Sequence, residues 1–224
     1  MKYKAVVFDL FETLITEWGH KKYTKNEMCA DLMIDRKSFD PYWNEKENDR
    51  YTGRMSFEES IRYVLEKLQK DVSGEIISSV IKKRIQTKSA CFDNINNDVL
   101  ILLDTLKANG IKIAMISNCS SEEVAMLKES DLAHYFDEIL LSYEVKMKKP
   151  DPCIYEDAAK RLGVELNECF FVGDGGSNEL EGAERVGMKA IQAKWFTNQL
   201  PHKRESIEGF LVADYPLKII DYIN

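Results

Sequence analysis

The sequence has no apolar run approaching the roughly 20 residues of a membrane-spanning helix; its longest apolar stretches are strand-sized. None of its five cysteines, Cys29, Cys91, Cys119, Cys153 and Cys169, forms a Cys-x-x-Cys pair. Scattered and odd in number, they argue against a disulfide framework or a zinc site. Histidine is scarce, and His20, His134 and His202 lack metal-ligand spacing, so each is expected at a surface or boundary. Lysine and arginine never gather into a long block, and the formal net charge is −7, which argues against nucleic acid or an anionic membrane as the partner. Met1-Lys2-Tyr3-Lys4 leads straight into a strand rather than a signal peptide, so a cytoplasmic protein is expected. No internal repeat, linker or low-complexity tract stands out.

What is present is a sizeable core: 44% of the 224 residues are hydrophobic. The length exceeds one minimal core and falls short of two full domains, which suggests a main domain with an inserted subdomain. Ala5-Val6-Val7-Phe8 reads as a buried strand that ends at Asp9. After Leu14 the pattern turns helical until about residue 90. Ser56-x-x-Glu59 is a capping box ahead of Phe57, Ile61, Val64, Leu65 and Leu68 at helical spacing, and Ile76, Ile77, Val80, Ile81 and Ile85 repeat the period after Ser73-Gly74. Tyr23 to Met33 and Phe39 to Arg50 are further helix candidates.

Strand and helix alternate from roughly residue 96 onward, the signature of a doubly wound parallel sheet. Helices are expected from Asp98 to Ala108, after the Ser120-x-x-Glu123 box, from Pro152 to Leu162 and near Asn178 to Val186. Strands are expected at Ile111 to Ile116, Glu138 to Ser142, Phe170 to Val172, near Ala190 and near Phe210 to Ala213. The fold class is therefore α/β, with residues 1–14 and 96–224 as the core domain and residues 15–95 as a helical insert.

Three apolar strands end in polar residues: Asp9, Ser117-Asn118 and Asp174. Ligand crevices in open α/β sheets lie outside the carboxyl ends of strands, so these three can converge. Their order, with Lys149-Pro150 between them, resembles the haloacid dehalogenase superfamily of hydrolases over essentially the whole chain. Asp9-Leu10-Phe11-Glu12-Thr13 is similar to its first motif, Ser117 to the second, Lys149 to the third and Gly173-Asp174-Gly175-Gly176-Ser177-Asn178-Glu179 to the fourth. The resemblance implies a Rossmann-like core with a helical cap over the site, and Asp9 as the nucleophile. Ser117 and Lys149 would bind the transferring group. Asp9, the carbonyl of Phe11 and Asp174 would hold Mg²⁺, with Glu179 holding a metal-bound water. Asn118 would either meet a phosphoryl oxygen or cap the next helix. The expected substrate is a small anionic molecule, and the expected state a monomer or homodimer.

Phe11 departs from the family pattern. Its phosphatases carry a second Asp there to protonate the leaving alcohol, and a phenyl ring moves no proton. Strand alternation would point Glu12 away from the nucleophile if the chain stays extended, but it stands where the family usually has Gly, which leaves its direction open. The 2-haloacid dehalogenases carry an aromatic residue at this position, and halide leaves without a proton. They also work without metal and lack the Gly-Asp loop, which this chain keeps. A Mg²⁺-dependent phosphohydrolase is therefore expected first, a 2-haloacid dehalogenase second, and a weakly catalytic phosphate-binding protein third. Lys146 and Lys148 read as a solvated loop, and Trp195 and Phe196 as packing or surface aromatics. Trp18, Tyr42, Trp43, Arg50 and Arg54 lie in or near the insert; the aromatics read mostly as core, and either arginine could meet a phosphate or carboxylate.

Overall fold

A computed structural model describes residues 3–199 and 204–223, leaving His202 outside the described residues. Strands β1 (Ala5–Phe8), β2 (Lys112–Ser117), β3 (Glu138–Leu141), β4 (Cys169–Gly173), β5 (Lys189–Ala193) and β6 (Leu211–Ala213) form one parallel sheet in the order β3-β2-β1-β4-β5-β6. The order reverses direction between β1 and β4, and such a switch opens a crevice at the carboxyl ends of those strands.

Side chains alternate across a strand, and here both faces are covered. Val6 and Phe8 join one apolar core, with Ile113, Met115, Phe170 and Val172. Ala5 and Val7 join the other, with Ala114, Ile116, Cys169 and Phe171. This is why β1 reads as an unbroken apolar run. Each fully buried Val, Ile, Leu or Phe contributes roughly 1.5–3 kcal/mol relative to exposure.

Between β1 and β2 the chain forms α1 (Lys25–Asp31), α2 (Arg36–Glu45), α3 (Glu47–Tyr51), α4 (Phe57–Lys67), α5 (Gly74–Ser89) and α6 (Asn97–Ala108). Of these, α1, α2, α4 and α5 enclose a separate apolar core of Met28, Leu32, Phe39, Trp43, Ile61, Val64 and Val80, among others. Both boxes at Thr24-x-x-Glu27 and Ser56-x-x-Glu59 close reciprocally and start α1 and α4. The helix expected from Phe39 to Arg50 begins earlier, because Asp35 caps it, and breaks at Lys46 into α2 and α3.

The remaining helices are α7 (Val124–Lys128), α8 (Ser142–Val145), α9 (Pro152–Leu162), α10 (Glu179–Arg185) and α11 (Lys218–Ile223). Leu102 and Leu106 of α6 and Ile219 of α11 pack on one face of the sheet. Tyr155 and Ala158 of α9 and Leu180 and Ala183 of α10 pack on the other. The helix expected after the Ser120-x-x-Glu123 box is the five-residue α7, which a single 3₁₀ turn leads into.

Candidate active site

Asp9 follows β1, and its N–H donates to Val172 O at 2.8 Å, so pairing with β4 continues one residue past the strand. Its side chain therefore emerges at the switch point. The chain then folds back: Leu14 and Ile15 donate to Leu10 O at 2.8 and 3.1 Å. The Thr13 hydroxyl donates to Asp9 Oδ2 at 3.4 Å, and Trp195 Nε1 donates to Thr13 O at 2.8 Å. Trp195, expected as a packing or surface aromatic, is buried and also ties the turn to the end of β5.

Lys149 is 2% exposed, and its Nζ contacts Asp9 Oδ1 and lies 2.6 Å from Glu179 Oε2. Asn118 fixes the lysine's backbone: its Nδ2 donates to Lys149 O at 2.9 Å, and Lys149 N donates to Asn118 Oδ1 at 2.8 Å. Asn118 caps no helix, because Ser120 takes that place. The Lys149–Pro150 peptide is cis. Ser117 ends β2 almost wholly buried.

The loop after β4 supplies two more carboxylates. Gly175 takes φ of +91° and donates its N–H to Glu179 Oε1 at 3.2 Å; Gly176 N donates to Asp174 Oδ1 at 2.9 Å. A Cβ at Gly173 would collide with the Glu179 carboxylate, so only glycine admits this approach. Asp9, Asp174 and Glu179 each offer an oxygen, and these oxygens lie within 4.8 Å of one another.

Such crowding shows in the acidities. Burial and the Asp9 carboxylate push Asp174 up, and the same two causes push Glu179 up to about 8. For Lys149 burial favours loss of the proton, yet Asp9 and Glu179 outweigh it and hold the ammonium form above the ordinary lysine range. Arg204, which no sequence pattern singles out, places Nη1 2.6 Å from Asp174 Oδ2 and 3.2 Å from Asp174 O. Only its position after β5, in a segment without helical or strand periodicity, brings it here.

A cavity of about 210 Å³ joins Asp9, Phe11, Glu12, Ser117, Asn118, Lys149, Asp174, Glu179 and Arg204 on its walls. Glu12 reaches it through a left-handed backbone, φ 60°, which explains why glycine suits this position and why the alternation of an extended strand does not apply there. Its carboxylate accepts from Thr16 Oγ1 at 2.6 Å and Glu17 N at 2.9 Å, and burial pushes its pKa up. The Phe11 ring faces α5, with Lys88 Nζ 4.0 Å from its centroid. Lys146 is exposed. In the insert, Trp43 packs in the core, Trp18 is 40% exposed, and exposed Arg54 pairs with Asp49 at 3.6 Å.

Residues 3–187 match the haloacid dehalogenase-like hydrolase family. The chain is 30% identical to a glyceraldehyde 3-phosphate phosphatase of Methanothermobacter thermautotrophicus over 84% of each chain. It is 25% identical to the enzyme of that name from Methanopyrus kandleri, over 99% of this chain and 97% of the relative. Among solved structures, 2-haloacid dehalogenase from Pseudomonas syringae pv. Tomato superposes with a TM-score of 0.68 at 18% identity, covering 98% of this chain and 97% of that one, which establishes a shared fold.

Proposed function

The chain belongs to the haloacid dehalogenase-like hydrolases, and from that premise we propose that it is a Mg²⁺-dependent phosphohydrolase acting on small phosphorylated metabolites through an aspartyl-phosphate at Asp9. The observation that carries this reading is the cluster of Asp9, Asp174 and Glu179, with buried Lys149 paired to the first and last of them. Three carboxylates at such separations repel one another and would repel a carboxylate substrate unless a cation joined them. The donor set is all oxygen, which suits Mg²⁺. Asp9, the Phe11 carbonyl and Asp174 would hold the ion directly, with Glu179 holding one of its waters. Bound there, Mg²⁺ supplies positive charge against which a phosphoryl group and a carboxylate can meet. Relatives named as phosphatases support the same chemistry.

In this reading Asp9 attacks phosphorus, the bond to the leaving oxygen breaks, and the phosphoryl group passes to the carboxylate. Lys149 Nζ neutralises charge on Asp9 and the transferring group, while Asn118 fixes the Lys149 backbone. The Ser117 hydroxyl donates to a phosphoryl oxygen. Water then attacks phosphorus, releasing inorganic phosphate and restoring Asp9. Position 11 contributes no proton to either step.

Hydrolysis of phosphate esters with Mg²⁺ or EDTA, set beside 2-haloacids without metal, tests the reading. Phosphate release abolished by EDTA is expected. Phe11 specifically favours the rival dehalogenase, and EDTA-insensitive halide release would establish it instead. Saturable phosphate binding with no product in excess Mg²⁺ would mark a weakly catalytic binding protein.

A further inference from the structure

On the helical side of the cleft, Arg50 of α3 is 4% exposed, and among the described residues no carboxylate forms an ion pair with it. Its guanidinium lies 3.7 Å from the centroid of the Trp43 ring, and Nη1 donates to Trp43 O at 2.7 Å. Those contacts hold the group in place and carry no charge; Glu47 and Glu122 act on it only from beyond ion-pair distance. Arg84 nearby differs, since it contacts Glu122 and lies 3.6 Å from Glu123. Burial lowers the Arg50 pKa to about 10, so the group stays charged at neutral pH. A buried, unpaired guanidinium carries a desolvation cost that an anion in the right place would offset.

There is room for one. Arg50, Tyr23, Tyr51, Phe57, Arg84 and Ser120 line a cavity of about 120 Å³. That is room for several waters, and so for a carboxylate or phosphate group. The cavity also leads toward Asp9. Glu47 and Tyr51 line both it and an adjoining cleft of about 400 Å³ whose far wall is Asn118, Lys149 and Ser177, the wall of the nucleophile's own cavity.

We propose that Arg50 anchors a distal-anion subsite, binding the carboxylate or second phosphate at the far end of a substrate whose transferring phosphoryl group meets Asp9. The identity of the near group rests on the phosphohydrolase reading above; the subsite itself rests on Arg50 and its cavity. The planar fork of donors on a guanidinium matches either anion and discriminates against an uncharged hydroxyl.

The test uses matched pairs of phosphate monoesters of increasing chain length, one member ending in a carboxylate and the other in an alcohol, starting with phosphoglycolate and hydroxyethyl phosphate. Each is titrated as an inhibitor of p-nitrophenyl phosphate hydrolysis by the full chain with Mg²⁺. For at least one length the acid is expected to bind roughly tenfold or more tightly than the alcohol, the gain typical of a hydrogen bond to a charged group. That ratio should fall to about one in Arg50→Met and be partly retained in Arg50→Lys. Equal inhibition by both members at every length in the unmodified protein, which needs no variant to fold, would overturn the proposal. So would a ratio that survives in a folded Arg50→Met protein. Inhibition by the acids that does not compete with p-nitrophenyl phosphate would assign the anion to a separate ligand and overturn it too. If no ester is hydrolysed, calorimetric titration of the same pairs replaces inhibition. Preference without turnover would sink the phosphohydrolase reading and keep the subsite, whereas turnover without preference would do the reverse.

Discussion

At position 11 the side chain is a half-buried phenyl ring with Lys88 Nζ 4.0 Å from its centroid, so the place of the usual proton donor is filled by a group that faces a cation. Loss of general acid help costs about 10²–10⁴ in rate, and the cost falls on substrates whose leaving group needs a proton. Turnover should therefore depend steeply on the acidity of the leaving group, favouring acyl phosphates and nitrophenyl esters over alkyl phosphates. Phe11→Asp should raise alkyl-ester kcat by on the order of 10² and flatten that dependence. An unchanged dependence in the variant would mean that another group already moves the proton. Residues of this kind were legible in the sequence to different degrees. Asp9, Ser117 and Asp174 end apolar runs, so their place at the sheet's carboxyl edge follows from strand geometry. The direction of Glu12 stayed open because it turns on a φ of 60°, which a non-glycine residue does not announce and which only the family's usual Gly hints at. Arg204 was missed because its segment has no periodicity to place it.

Helix α5 carries two cations across to the sheet-bearing part of the chain. Arg84 contacts Glu122, and Lys88 lies 2.6 Å from Glu17 and 3.4 Å from Glu123. The sequence shows Ser120-x-x-Glu123 as a local capping box, which it is: Ser120 N donates to Glu123 Oε2 at 3.0 Å. The same carboxylate's Oε1 faces Arg84 and Lys88, a long-range use that local spacing does not reveal. Burial alone would raise the Glu123 pKa, but Arg84 and Lys88 outweigh it and hold the group below its ordinary 4.5. Glu122, pushed up by burial and by Glu123 beside it, takes a proton first as pH falls. A carboxylate whose pKa is depressed in the fold contributes stability that is present above its unfolded value and lost as pH falls through the folded one. Glu123→Gln should therefore cost about 3 kcal/mol at neutral pH, the scale for breaking a buried pair. The gap from the unmodified protein should close as pH drops below about 4.5. Urea unfolding across that range measures it, and a gap constant with pH would remove Glu123 from the network.

The whole molecule turns separate signals into one site. Lys149 stands 140 residues from Asp9 in the chain, and the strand order brings the ends of β2, β1 and β4 side by side beneath it. Alternating strands and helices made that sheet readable, whereas the clustering of three carboxylates against one buried lysine depends on loop geometry at Gly173 and Gly175. The arrangement leaves the site short of positive charge, since Arg204 sits at the rim with its side chain 42% exposed. It should therefore be a weak point of the metal-free fold and a strong one with metal. At a Mg²⁺ concentration near 100 Kd, linkage adds about 2.7 kcal/mol, which for a chain of this size corresponds to a Tm rise of roughly 5–10 °C. Asp174→Asn removes a ligand and a repulsive charge together, so its effects should have opposite signs in two conditions. In EDTA the variant should melt at or above the unmodified protein, because burial and the Asp9 carboxylate disfavour the charged Asp174 more than Arg204, itself 42% exposed, favours it. With Mg²⁺ it should melt below it, having lost the metal-induced rise. A variant that melts lower in EDTA yet keeps the full response to Mg²⁺ would mean that Asp174 supports the fold and that the ion binds elsewhere.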